Sequence, residues 1–427
     1  MRRGLILVTV VALSATVAFA DWKSGVAAFQ KHDYKTALKE FQAVAATSPD
    51  YAGAHYMVGL TQQRLGQSDA AMASFKEANR LDPANAQFAM AYASTLLDKN
   101  RAQDASRVLD AVKVDGLKGT QKAVVLTAKA QAAYAMGNNS SAIDLAKQAT
   151  QADPHLADAW ASLATVYANS GKQEDAFNAY QKAWEAKPAT TAYGRSAVAA
   201  GITAAQLAGT ARRKSLYSEV VAVATKLADA KANPDTSLMA AEALLGAGEY
   251  GRASTYLEKT GMDTALISYY RGQIAIGQKK PADAEKDLRA ALTKRPDANL
   301  RRQIYTSLGY VLDLQHKYVD AAQAYQEAGN AGKVAEMKEK QKKLENNEKA
   351  QAEQERYKKL KALEEQYKNM AGGGGGVAAL SLRSSKDIDA RVTREGGPRC
   401  VRRSRFAGKR REPEDGTGGG GRSADEG

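Results

Sequence analysis

Between residues 21 and 330 the apolar positions fall three and four residues apart, the spacing that gathers side chains on one face of an α-helix. Residues 52–85 show the pattern plainly: Val58, Gly59 and Gln62 share a face of one predicted helix, and Ala71, Phe75 and Ala78 share a face of a second. The polar stretch Gly66-Gln67-Ser68-Asp69 separates the two as a turn, and Pro83 ends the unit because proline cannot continue a helix interior. Runs of alternating β-branched residues are scarce, and alanine, the strongest helix former, is abundant, as closely packed helices require. The predicted class is all-α.

The two-helix unit repeats. Gly25 returns as Gly59 after 34 residues, Ala37 as Ala71 and Ala105, Phe41 as Phe75 and, conservatively, Leu109, while Pro49 returns as Pro83 and Pro154 as Pro188. Residues 157–190 carry the fullest copy: Trp160, Leu163, Ala164, Tyr167, Gly171, Ala176, Tyr180, Ala183 and Pro188. This order of large and small residues resembles the tetratricopeptide repeat family, with weaker copies at 18–51, 52–85, 86–119 and 123–156. The resemblance implies a helix-turn-helix solenoid, wound as a right-handed superhelix.

Beyond Pro188 the register is lost, and 191–233 reads as a divergent helical spacer or a degenerate repeat. The lattice resumes over 234–330 with Gly248, Ala253 and Leu257, then Gly272, Ala284, Leu288, Ala291 and Pro296, and finally Tyr305, Leu308, Gly309, Ala321, Tyr325 and Ala328. The expected organisation is therefore an N-terminal array of about five repeats (21–190), the spacer, and a C-terminal array of about three (234–330). Residues 331–370 predict one long Lys/Glu/Gln helix with sparse apolar points, either a solvated helix that caps or extends the array or a coiled coil.

The two ends differ in composition from the array. Residues 1–20 run from Arg2 and Arg3 through an apolar stretch to the small-residue ending Val17-Ala18-Phe19-Ala20, the order of a secretory signal peptide cleaved after Ala20. That reading expects a periplasmic or secreted protein; an uncleaved membrane anchor is the alternative. The net charge of +14 gathers mainly at the ends, with +2 in 1–20, +3 in 331–370 and +4 in 371–427. The segment 371–427, opened by five glycines and poor in large apolar residues, is expected to be disordered. Its basic cluster (Arg402, Arg403, Arg405, Lys409, Arg410, Arg411) suits an anionic surface or an acidic partner by charge alone, and it equally suits an extension with no selected function. With Phe406 as its one aromatic, base recognition is thinly supported, and nucleic acid is not an expected partner.

Catalytic and metal-binding patterns are not found. His32, His55, His155 and His316 sit in separate units without partners at i+3 or i+4; His32 and His316 read as turn residues, and His55 takes the family's tryptophan position, where packing is its expected role. One cysteine, Cys400, supports neither an intramolecular disulfide nor a structural zinc site. The expectation is a non-enzymatic protein with no cofactor and no small-molecule substrate.

The positive signal is the groove that stacked helix pairs form along their first helices. The resemblance implies contact positions at Tyr56, Leu60, Gln63 and Arg64, then Gln87, Met90 and Ser94. Thr127, Gln131 and Tyr134, with Asp158, Thr165 and Asn169, come from the fourth and fifth units, and Tyr269, Gln273, Gln303 and Tyr310 from later ones. Aromatic anchors among adaptable polar groups suit peptide or helical segments of partner proteins, expected to be envelope or secretion components. The carboxylate clamp of chaperone-binding members is not expected, because Trp22 and Val26 occupy its first-unit positions. The alternative is a structural element that oligomerises through 331–370 and docks through the tail.

Overall fold

The structure, a computed structural model, describes residues 22–371. The signal-like segment and the glycine- and arginine-rich tail, with its six basic candidates, lie outside the described residues. Every regular element among the described residues is helical. The first helices are α1 (22–30), α2 (Tyr34–Thr47), α3 (Ala52–Arg64), α4 (Ser68–Leu81), α5 (Ala86–Asp98) and α6 (Ala102–Asp110). A 3-10 turn (Val114–Gly116) leads to α7 (Gly119–Ala135), α8 (Asn139–Ala152), α9 (Ala157–Asn169) and α10 (Gln173–Ala186). Then follow α11 (Thr191–Leu207), α12 (Thr210–Ala230), α13 (Pro234–Gly246), α14 (Tyr250–Lys259), α15 (Ala265–Gly277) and α16 (Pro281–Thr293). The last are α17 (Ala298–Leu314), α18 (Tyr318–Glu327) and α19 (Ala331–Ala371). Each odd helix up to α17 packs on the even helix that follows, and successive hairpins stack to give a helical solenoid.

In the regular hairpins the close contact joins residues 16 apart. Gly25 meets the ring of Phe41, Gly59 that of Phe75, Gly272 the side chain of Leu288 and Gly309 the ring of Tyr325. A Cβ at Gly59 would lie 2.6 Å from the Phe75 ring, which is itself 1% exposed. Where the small residue is Ala93, the partner shrinks to Leu109, and both are buried in one cluster. A small residue thus faces a large one at each of these contacts, as dense core packing demands.

Most of the hairpin turns share one hydrogen-bond scheme. The N–H groups of Asp33, Gln67, Arg101, Lys172, Glu249 and Lys317 each reach back to a carbonyl five residues earlier, at 2.8–2.9 Å. The residue before each of these donors takes a positive φ. Glycine meets that demand at Gly66 and Gly171, but His32 (φ 62°) and His316 (φ 60°) replace it in the first and last hairpins. Both imidazoles are held identically, Nδ1 against Tyr34 Oη and against Tyr318 Oη at 2.8 Å. These two histidines are turn residues, as read from the sequence.

His55 likewise serves packing. Its Nε2 donates to the Pro49 carbonyl at 2.8 Å, the bond that Trp160 Nε1 makes to Pro154 at 2.8 Å in the fullest repeat. After Pro188 the equivalent position is Gly194. Trp184 lies against that bare backbone, and its own Nε1 donates to the Pro188 carbonyl at 3.2 Å.

Residues 191–233 are mainly helical, and of the two readings given above their arrangement fits the degenerate repeat. They form the hairpin α11/α12, and one core cluster runs without a break from Ala176 and Phe177 through Val198, Val220 and Leu227 to Ile267 and Ile274. The two expected arrays are one stack in this region. The signature vanished because the hairpin is longer: Gly201 faces Val220, 19 residues on rather than 16, at 2.4 Å from an added Cβ. Residues 331–342 of α19 cover the last hairpin, with Met337 fully buried and Lys340 Nζ 2.7 Å from Asp313 Oδ2. From Lys343 to Asn369 the helix is exposed apart from half-buried Leu344.

The 16-residue contact yields a sign-reversing test. Gly59→Ala is expected to destabilise the chain by about 1–3 kcal/mol through overpacking. In a Phe75→Leu background, which reproduces the Ala93/Leu109 pair, the same substitution is expected to stabilise through its better helix propensity. Urea denaturation of the four members of this double-mutant cycle measures both, and additive effects would refute the contact.

Candidate functional site

The odd helices present one surface away from their even partners, and across α3, α5, α7, α9 and α11 it hollows into a groove of about 770 Å³. Tyr56, Leu60 and Gln63 line it from α3, and Gln87, Met90 and Ser94 from α5. Thr127, Gln131 and Tyr134 follow from α7, and Asp158 and Thr165 from α9. Eleven predicted positions therefore share one cavity. Arg64 and Asn169, at the ends of α3 and α9, do not line it. Tyr269 and Gln273 on α15, and Gln303 and Tyr310 on α17, stand apart from it.

The groove's polar groups divide into those already engaged and those that are free. Thr127 Oγ1 donates to the Ala123 carbonyl at 2.8 Å, and Thr165 Oγ1 to Ala161 at 2.8 Å while also meeting Tyr180 Oη at 3.0 Å. These threonines complete their own helices rather than offering hydroxyls outward. Gln63, Gln87, Ser94 and Gln131 are exposed. Tyr56 is anchored beside Phe75 and Phe88, with ring centroids 5.9 and 5.1 Å away, and burial pushes its hydroxyl pKa up.

The sequence reading did not include Tyr193, which closes the groove from α11 and donates through Oη to Asp158 Oδ1 at 2.5 Å. Burial, then the bond to Asp158, raises its pKa to about 12, so the phenol stays neutral at physiological pH. Tyr193 was missed because it falls just past Pro188, where the 34-residue register ends. Val124, Ala128, Leu156 and Ala161 add apolar lining between the predicted positions.

A second constellation lies on α13, α15 and α17. Tyr269 and Tyr270 stand with ring centroids 5.7 Å apart, and Gln273 Nε2 donates to Ser307 Oγ at 2.6 Å. Glu242, one odd helix earlier on α13, accepts a hydrogen bond from Tyr270. Burial raises the Glu242 carboxyl pKa against that bond, and burial with the nearby Glu242 charge pushes the Tyr270 phenol far above its ordinary value. Tyr310 is 47% exposed, with Leu314 one turn on at 51%.

Trp22, at the first clamp position, is occupied in packing: its ring lies 5.4 Å from Phe41 and 5.3 Å from Tyr51. Among the described residues no group of three or more His, Cys, Asp or Glu is placed to hold a metal ion, and no helix is long and apolar enough to cross a membrane.

The tetratricopeptide repeat profile matches residues 23–86, 57–115, 238–299 and 269–334. The profile of a bacterial transcriptional activator domain matches residues 119–187, which are the helices α7 to α10 of the same stack. A Dictyostelium discoideum protein named as a DnaJ homolog subfamily C member 3 homolog is 26% identical over 173 residues, covering 38% of this chain. That match spans about a third (34%) of the Dictyostelium protein's length. Among solved structures, a tetratricopeptide repeat protein from Parabacteroides merdae is 14% identical, with a TM-score of 0.37, over 70% of this chain and 99% of its own. A thermophilic tetratricopeptide repeat protein from Thermus thermophilus is 19% identical, with a TM-score of 0.36, over 43% of this chain and 98% of its own.

Glu242 gives the pH test. Its folded pKa lies above the ordinary glutamate value of 4.5, so the stability it contributes is full below that value and is lost as pH rises through the raised one. Glu242→Gln is therefore expected to raise the melting temperature at pH 7 and to change it little near pH 4. Thermal scans at the two pH values check this, and an equal shift at both would contradict it.

Proposed function

Since this chain is a tetratricopeptide repeat protein, we propose that it is a non-enzymatic scaffold that holds segments of partner proteins in the groove of α3 to α11. The observation that carries this reading is the convergence of Tyr56, Met90, Tyr134 and Tyr193 with exposed Gln63, Gln87, Ser94 and Gln131 in one cavity. Large rigid or polarizable side chains supply contact area at low entropic cost, and amides adapt to backbone donors and acceptors of a bound segment. Work outside the cytoplasm, with envelope or secretion components as partners, is part of the proposal and rests on the residue order of 1–20.

The test is chemical crosslinking of the full chain in its own cells, comparing the wild type with Gln87→Arg/Gln131→Arg. Both glutamines are exposed, so the fold should survive. The expected outcome is a short partner list, enriched in envelope proteins, that the double variant loses. A list unchanged in the variant would sink the groove reading.

A second reading has its own observation. On α19, Tyr357, Leu360, Leu363 and Tyr367 are 62%, 45%, 50% and 69% exposed, at spacings that place them on one side of the helix. A helix carrying such a stripe gains by pairing with another, which makes self-association its proposed role. Light scattering of the full chain is expected to give a dimer or larger species that Leu360→Lys/Tyr367→Lys converts to monomer. A monomeric wild type would end this reading.

A further inference from the structure

The groove is almost free of charge, and its one exception names the partner's chemistry. Among its lining residues no lysine, arginine or glutamate occurs, and Tyr193 is held neutral, which leaves the Asp158 carboxylate alone. Asp158 is exposed, and no lysine or arginine among the described residues forms an ion pair with it. One of its oxygens, Oδ1, is braced by Tyr193 from the next odd helix, which fixes the carboxylate in place rather than neutralising it. Among the described residues no hydrogen bond or ion pair reaches the other oxygen, Oδ2.

From this geometry we propose that the groove selects a polypeptide segment carrying a lysine or arginine, seated on Asp158, with apolar residues beside it against Leu60, Met90, Val124 and Leu156. The inference rests on the groove reading above and adds the sign of the ligand. Held in place by Tyr193, the carboxylate meets a cation with a charge-assisted hydrogen bond stronger than any its neutral neighbours offer. An acidic segment would place a like charge against it with no cation in the lining to compensate. Charge complementarity therefore favours a basic segment, even though the chain as a whole carries +14, because that excess gathers mainly toward its ends.

Asp158 also stands in the first turn of α9, where a carboxylate favours the helix dipole by itself. The experiment separates that role from recognition. A random peptide library displayed on phage is panned against the full-length chain, and the consensus peptide is made with a fluorescent label as the probe. The expected consensus has a basic residue at a constant place among apolar ones. Asp158→Asn is expected to weaken the probe by about ten- to a hundredfold, the scale of a hydrogen bond to a charged group, with the thermal midpoint nearly unchanged. Asp158→Lys should instead prefer the probe whose basic residue is replaced by glutamate, a reversal that a purely structural role would not produce. If Gln87→Arg/Gln131→Arg abolishes binding but the consensus lacks a basic residue, or Asp158→Asn binds within twofold of wild type, this inference fails and the groove reading stands. If binding ignores Gln87→Arg/Gln131→Arg, the groove reading fails with it.

Discussion

The stack depends on the close approach of each odd helix to the even helix after it, made possible by a glycine or alanine facing a residue 16 positions later in the regular hairpins and 19 later in α11/α12. Gly59 leaves room for the Phe75 ring, Gly309 for Tyr325, and Ala93 for the smaller Leu109. A hairpin closed in this way buries its large side chains on the inner side. The outer faces of the odd helices are then free to carry residues that the core does not need.

That division of labour builds the groove. On α3, α5, α7 and α9 the residues at equivalent positions are set against one another by the stacking of hairpins, so side chains far apart in sequence come to share one cavity. Tyr193 and Asp158 are 35 residues apart and joined by a hydrogen bond, because α9 and α11 are neighbours in the row of odd helices. A rigid row of this kind holds its recognition groups in place before any partner arrives, which lowers the entropic cost of binding.

The charge carried by the groove is distinct from the charge carried by the chain. Salt bridges such as Arg212 with Glu174, between α12 and α10, link exposed residues of different helices, and at such exposure each contributes little to stability. Asp158 is unlike them in having a phenol rather than a cation as its neighbour. Glu242 and Tyr270 repeat the carboxylate–tyrosine pairing on α13 and α15, where deeper burial shows in the raised pKa of both groups.

The sequence by itself determined the all-helical class and the hairpin unit, because each follows from short-range periodicity, and the resemblance to the repeat family pointed to eleven residues that line the groove. Helical spacing chooses the buried face, and the 34-residue interval carries that choice from one unit to the next. It also placed His32, His55 and His316 in structural roles, since turns and the tryptophan position recur with the same interval. Only the tertiary structure decided that 191–230 continues the stack. Its longer helices preserve the small-against-large contact at Gly201 and Val220 while changing the interval that makes a repeat visible. It likewise decided that Arg64 and Asn169 lie outside the groove, that Thr127 and Thr165 spend their hydroxyls on their own helices, and that Tyr193 braces Asp158. These are matters of direction and distance between neighbouring helices, and no periodicity along a single chain encodes which way a side chain leans across the gap.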